Sequence, residues 1–78
     1  MFIRIFSIDK EIYSGDADSL TLPSADGQIT VLKNHLPIIS LLKSGKITVR
    51  NKDKKDFEYH IKNGFTEINT EMITVLAE

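Results

Sequence analysis

The residues of this chain that could do chemistry are few, and their spacing does not assemble them. Two histidines are present, His35 and His60. A catalytic zinc centre takes about three side-chain ligands. His35, His60 and one carboxylate could in principle supply them, but no motif spacing groups them, and His60 falls on the polar side of an alternating segment. Asp16-x-Asp18 is a fragment of a calcium loop. An EF-hand also needs Gly at loop position 6 and Glu at position 12, where this chain carries Thr21 and Gly27. Ser24, Asp26 and His35 are the residue types of a nucleophile triad, without the strand–turn–helix setting that presents such a serine. Gly45-Lys46 is followed by Ile47 and lacks the Gly five positions earlier that a phosphate loop requires. The four glycines lie too far apart for a dinucleotide fingerprint. The expectation is a non-catalytic protein with no cofactor and no metal.

One stretch suggests binding instead. Lys43, Lys46, Arg50, Lys52, Lys54 and Lys55 collect within Lys43–Lys55, with Phe57 and Tyr59 close behind. A small oligonucleotide-binding barrel uses such a basic strand with aromatic stacking platforms. Against that alternative, Phe57 and Tyr59 share an alternation face with Ile61, which makes them core, and Asp53, Asp56 and Glu58 dilute the charge. A solvated strand face is the better reading, and no nucleic-acid partner is expected. Tyr13, Leu36, Ile39 and Leu42 are the candidates for a partner surface, set against the ordinary occurrence of scattered surface hydrophobes.

The totals agree with a small binding domain. Seventy-eight residues make one domain near the lower size for an unaided core. There is no cysteine, so no disulfide or thiolate metal site forms, and a reducing compartment fits. A net charge of −1 supplies no global field toward nucleic acid or an anionic membrane. The apolar run Leu36–Leu42 is far shorter than the ~20 residues of a spanning helix and contains Pro37 and Ser40. The N-terminus is too polar after Ile5 for a signal peptide. Membrane association is expected only through another protein.

The elements that must position these residues are short strands. Phe2–Ile8 is rich in β-branched and aromatic types. Asp16–Leu22 puts Asp18, Leu20 and Leu22 on one face. Lys46–Asn51 sets Ile47 and Val49 against Lys46, Thr48 and Arg50. Asp56–Lys62 sets Phe57, Tyr59 and Ile61 against Asp56, Glu58, His60 and Lys62. Met72–Ala77 is the last strand. Period two with polar alternates means antiparallel sheets with one wet face. Breaks are expected at Ser14-Gly15-Asp16, Ser24–Gly27, Lys43-Ser44-Gly45 and Asn63-Gly64, with a longer polar hairpin loop over Asn51–Lys55. Asn63-Gly64 between two strand-like runs is the strongest hairpin signal. The fold class is all-β: a flattened sandwich of two roughly five-stranded, mainly antiparallel sheets.

The order of motifs then carries a resemblance. Glu11-Ile12-Tyr13-Ser14-Gly15 is followed by Leu20-Thr21-Leu22-Pro23, then by Asp26-Gly27-Gln28 and an apolar strand. Next come His35-Leu36-Pro37-Ile38-Ile39, Leu42-Lys43-x-Gly45, a basic strand, Gly64-Phe65-Thr66-Glu67-Ile68 and Val75-Leu76-Ala77. This ordered set spans the chain and resembles the N-terminal β-sandwich domain of the epsilon subunit of F-type ATP synthases, called delta in mitochondria. The chain has Lys33-Asn34 where the family usually has Pro-Gly, and Asn still tolerates a left-handed turn. It has Asn63-Gly64 for Gly-Gly, and Gln28 for a frequent Glu.

The resemblance implies a rotor subunit of the central stalk of a proton- or sodium-driven ATP synthase. Such a subunit clasps gamma, rests on the polar loops of the c-ring and transmits torque, on the cytoplasmic face of a bacterial inner membrane. It implies ring contacts at Gly27, Gln28, Asn34 and His35, on two turns expected to be adjacent, and gamma contacts at Tyr13, Leu36 and Leu42. The chain stops at Glu78, where the family's two-helix C-terminal hairpin begins. The expectation is a single domain, 1–78, of the short form without that hairpin, hence without an inhibitory arm or a nucleotide site.

Overall fold

The computed structural model describes residues 1–33, 37–53, 55–69 and 71–78. Among them run nine strands: β1 (Phe2–Phe6), β2 (Glu11–Asp16), β3 (Ser19–Ser24), β4 (Gly27–Leu32), β5 (Ile38–Leu42), β6 (Gly45–Arg50), β7 (Asp56–Ile61), β8 (Gly64–Ile68) and β9 (Met72–Ala77). No helix occurs among the described residues. Hydrogen bonding is continuous through one sheet in the order β2-β1-β9-β8-β5-β3-β6-β7, with β4 on the other edge of β3. The step from β5 to β3 rests on a single pair, Ser24 with Leu42. The sheet therefore folds over there into two layers, five strands (β2-β1-β9-β8-β5) against four (β4-β3-β6-β7). The expected two sheets are thus one curled sheet joined at a corner. All pairings are antiparallel except β1 with β9, where the first and last strands run side by side.

The inward residues are those that alternation picks out. Ile3 and Ile5, Leu20 and Leu22, Ile47 and Val49, Ile68, Ile73, Val75 and Ala77 are buried between the layers. The isoleucines and valines among them are β-branched, which suits a pleated surface. The polar groups caught inside are partnered. Thr66 Oγ1 donates to the Thr74 carbonyl at 3.1 Å, and Ser24 and Ser40 share a hydroxyl bond of 2.9 Å beside the corner. The far edges of the two layers meet where the Tyr13 ring lies 5.1 Å from Phe57.

Two expected breaks differ. Ser14-Gly15-Asp16 is no turn but the end of β2, paired with Arg4, Ile3 and Phe2. The Tyr13 ring covers the missing side chain: a Cβ on Gly15 would stand 3.6 Å from the Tyr13 hydroxyl. Asn63-Gly64 is not a hairpin either. β7 pairs with β6, whereas β8 pairs with β5 and β9, so this corner carries the chain between layers. Gly64 stands there for closeness, since a Cβ would lie 2.5 Å from the Leu76 carbonyl oxygen. The expected turns at Ser24–Gly27 and Asn51–Lys55 are hairpins. In the second, the Asn51 side-chain oxygen accepts from the Asp53 and Lys55 amides at 2.9 and 3.1 Å. In the first, Gly27 has φ +130°, a conformation closed to residues with a side chain.

Candidate interaction site

The two layers turn different outer faces to the surroundings. On the four-stranded layer, Thr30, Thr21, Thr48 and Glu58 lie in register across β4, β3, β6 and β7. Lys46 pairs with Glu58 at 3.1 Å and Arg50 with Asp56 at 3.0 Å. The hydrogen bond from Arg50 holds the Asp56 carboxyl below its ordinary value. Two of the six cations of the basic stretch, Lys46 and Arg50, are thereby paired in place. Phe57 and Tyr59 turn inward and pack against the core, as their shared face with Ile61 predicted. The aromatic platform that an oligonucleotide site needs is turned away from solvent.

The five-stranded layer is the opposite case. Register places Phe6, Leu76, Phe65 and Leu41 side by side across β1, β9, β8 and β5. Residues paired in this way share a face, and three strand spacings make a stripe roughly 14 Å long. Leu41 is 65% exposed, Leu76 46% and Phe65 40%. The adjoining row runs Arg4, Thr74, Glu67 and Ile39, with Ile39 66% exposed. Arg4 stands over the Phe6 ring at 4.6 Å and bonds Glu11 at 2.9 Å. Contiguous exposed apolar surface of this kind marks a contact site.

The sequence alone missed this stripe and named only Ile39 of the adjoining row, although a signal was present. β6 and β7 alternate apolar with polar, whereas β1, β8 and β9 carry large apolar residues at both phases: Phe2, Phe6, Phe65 and Leu76 besides the buried isoleucines. A strand that is apolar on both faces has two surfaces to cover.

The predicted contact residues are distributed unevenly. Gly27 and Gln28 open β4 at the hairpin, with Gln28 exposed beside Pro23. Gln28 lines a shallow polar groove of ≈ 520 Å³ with Thr21, Pro23, Lys43, Gly45, Lys46 and Thr48. Asn34, His35 and Leu36 lie outside the described residues. Strand β4 runs on from the hairpin, Gly27 to Leu32. Tyr13 is half-buried, its ring against Phe57 and its hydroxyl 3.4 Å from the Asp16 carbonyl. Leu42 is a correction: it is 4% exposed and belongs to the core. Its pairing with Gly64 points it inward, while its neighbour Leu41, paired with Phe65, points out. Ser24 is tied to Ser40, Asp26 stands exposed on the hairpin, and His60 pairs across the strands with Lys46 on the polar face. Among the described residues no three of His, Cys, Asp and Glu gather, and no helix is long and apolar enough to cross a membrane.

The chain is a two-layered all-β fold with one polar outer face and one outer face that carries an exposed apolar stripe. The chain belongs to the family described as the ATP synthase delta/epsilon chain, beta-sandwich domain, whose model matches residues 1–78. It is 34% identical over 76 residues to an ATP synthase epsilon chain of Protochlamydia amoebophila, covering 97% of this chain and 52% of that one. Against an epsilon chain of Psychrobacter cryohalolentis the identity is 36%, covering 96% and 54%. Against one of Caulobacter vibrioides it is 38%, covering 90% and 80%. The chain spans about half the length of the first two relatives. Among solved structures, a chain in the cryo-EM structure of the Euglena gracilis mitochondrial ATP synthase (OSCP/F1/c-ring) superposes with TM-score 0.90 at 22% identity, covering 96% of this chain and 48% of that one. One in the central stalk/c-ring structure of the Tetrahymena thermophila enzyme gives 0.82 at 10%, covering 97% and 61%. These two likenesses concern the fold.

Proposed function

We propose that this domain is the epsilon-type rotor element of an F-type ATP synthase, seating gamma on the c-ring and passing torque between them without doing chemistry. The observation that carries the reading is the family match over the whole chain, joined to two outer faces of opposite character. The stripe of Leu41, Phe65 and Leu76 is the gamma-facing surface in this reading, because apolar anchors hold under load better than rim charges. Tyr13, paired with inward-facing Ile5 and with its ring against Phe57, faces away from this stripe. In this reading the ring-facing residues are Gly27 and Gln28 at the β3–β4 hairpin, together with Asn34 and His35 as the sequence suggests them, since polar ring loops call for hydrogen bonds and shape. The domain then works on the cytoplasmic face of a bacterial inner membrane, held there by the ring. A proton or sodium ion drives the rotation.

Co-expression of the tagged chain with gamma from the same organism tests this. Gamma is expected to co-purify with the wild-type chain and to be lost with Leu41→Asp. A cysteine at Gln28 is expected to cross-link to the c-ring in native membranes. A chain that retains neither partner contradicts the proposal.

A further inference from the structure

Glu67 is out of keeping with its surroundings. It sits on the apolar outer face, between Ile39 on β5 and Thr74 on β9. Among the described residues it has no ion-pair or hydrogen-bond partner of its own. The cation nearest in the same row, Arg4, lies two strands away and is bound to Glu11. Beside Glu67 opens a cleft of ≈ 380 Å³ whose other walls are Pro37, Ile38, Ile39, Ile68 and Asn69. Mostly apolar walls with one carboxylate among them match the shape of a lysine or arginine side chain, whose methylene stem buries while its charged head reaches the acid.

We propose that this cleft receives a basic side chain, arginine or lysine, from the partner that docks on the apolar face, with Glu67 as its counter-ion. Glu67 then fixes the register of the interface, because the apolar stripe alone is free to slide. Covering the face would leave an unpaired carboxylate in a low-dielectric setting, which is strongly unfavourable without a cation opposite it. This inference rests on the reading of the face as gamma-facing.

The test measures binding of purified gamma, from the same organism, to the wild-type chain and to Glu67→Gln, Glu67→Lys and Leu41→Asp. Each variant is first checked for a wild-type circular-dichroism spectrum. Glu67→Gln is expected to weaken binding about tenfold at low salt, the scale of one charge-assisted hydrogen bond, and to flatten the salt dependence seen with the wild type. Glu67→Lys is expected to weaken it further, and Leu41→Asp to abolish it. Binding of Glu67→Gln within twofold of wild type, or tighter, overturns the inference while leaving the docking face intact. The carboxylate would then only interrupt an apolar surface. Failure of the wild type to bind gamma, or full binding by Leu41→Asp, overturns the docking reading and this inference with it.

Discussion

Gly64→Ala separates two accounts of the Asn63-Gly64 corner by the sign of its effect. An added Cβ would lie 2.5 Å from the Leu76 carbonyl oxygen, 3.3 Å from Ala77 Cα and 3.5 Å from Leu42 Cδ1. The nearest obstacle is backbone of a strand held between β1 and β8. It must withdraw by roughly 0.9 Å to reach an ordinary 3.4 Å contact. The chain end adds resistance, since Lys62 donates to the Glu78 carbonyl at 2.7 Å and Glu78 to the Asn63 carbonyl at 3.0 Å. Overpacking of this kind costs ~1–3 kcal/mol, and a backbone obstacle puts the expectation at about 2–3 kcal/mol. A domain of this length has ~4–12 kcal/mol in total, and the melting temperature should fall by about 8–24 °C. Without the close approach, the same substitution in a strand would stabilise by ~0.5–1 kcal/mol through chain entropy. Gly64→Asn extends the test: a left-handed hairpin position would accept Asn, and the steric corner would not. Thermal melts followed by circular dichroism read both variants. A Gly64→Ala protein that melts at or above the wild-type temperature refutes the reasoning.

Leu42→Asp places a carboxylate in the core beside Gly64 and is expected to unfold the domain, seen as loss of the strand spectrum, rather than to release a partner selectively. Ile73→Ala removes a fully buried side chain and should lower stability by ~2–5 kcal/mol in urea unfolding, up to the whole margin of a domain this small. Ser24→Ala breaks the bond to Ser40 beside the interlayer corner and should cost ~0.5–1.5 kcal/mol by the same measurement. The Asp56 carboxyl titrates below its ordinary value because Arg50 bonds its charged form. Its contribution is therefore complete above the unfolded carboxyl value of ~4 and is lost as pH falls through the lowered folded one. The effect is small, because the pair is exposed. A stability–pH series should show an acid limb that flattens in Asp56→Asn, and an unchanged limb counts against the pairing.

Much of this protein was decided locally and was therefore legible in the residues. Period-two alternation in Lys46–Asn51 and Asp56–Lys62 identified Ile47, Val49 and Ile61 as inward and the charges between them as outward, since each pleat sends successive side chains to opposite faces. The ordered motifs were enough to expect the family. Long-range pairing decided the rest. Nothing near Leu41 and Leu42 says which of two adjacent leucines is buried. The register with Phe65 and Gly64 settles it, and a slip of one residue would exchange them. Asn63-Gly64 has the composition of a hairpin, and only the pairing of β7 with β6 and of β8 with β5 and β9 makes it a corner between layers. The apolar stripe exists because Phe6, Leu76, Phe65 and Leu41, spread from one end of the chain to the other, are brought abreast by a parallel pair and two antiparallel ones. Inward and outward are properties of a strand. Adjacency across strands is a property of the sheet.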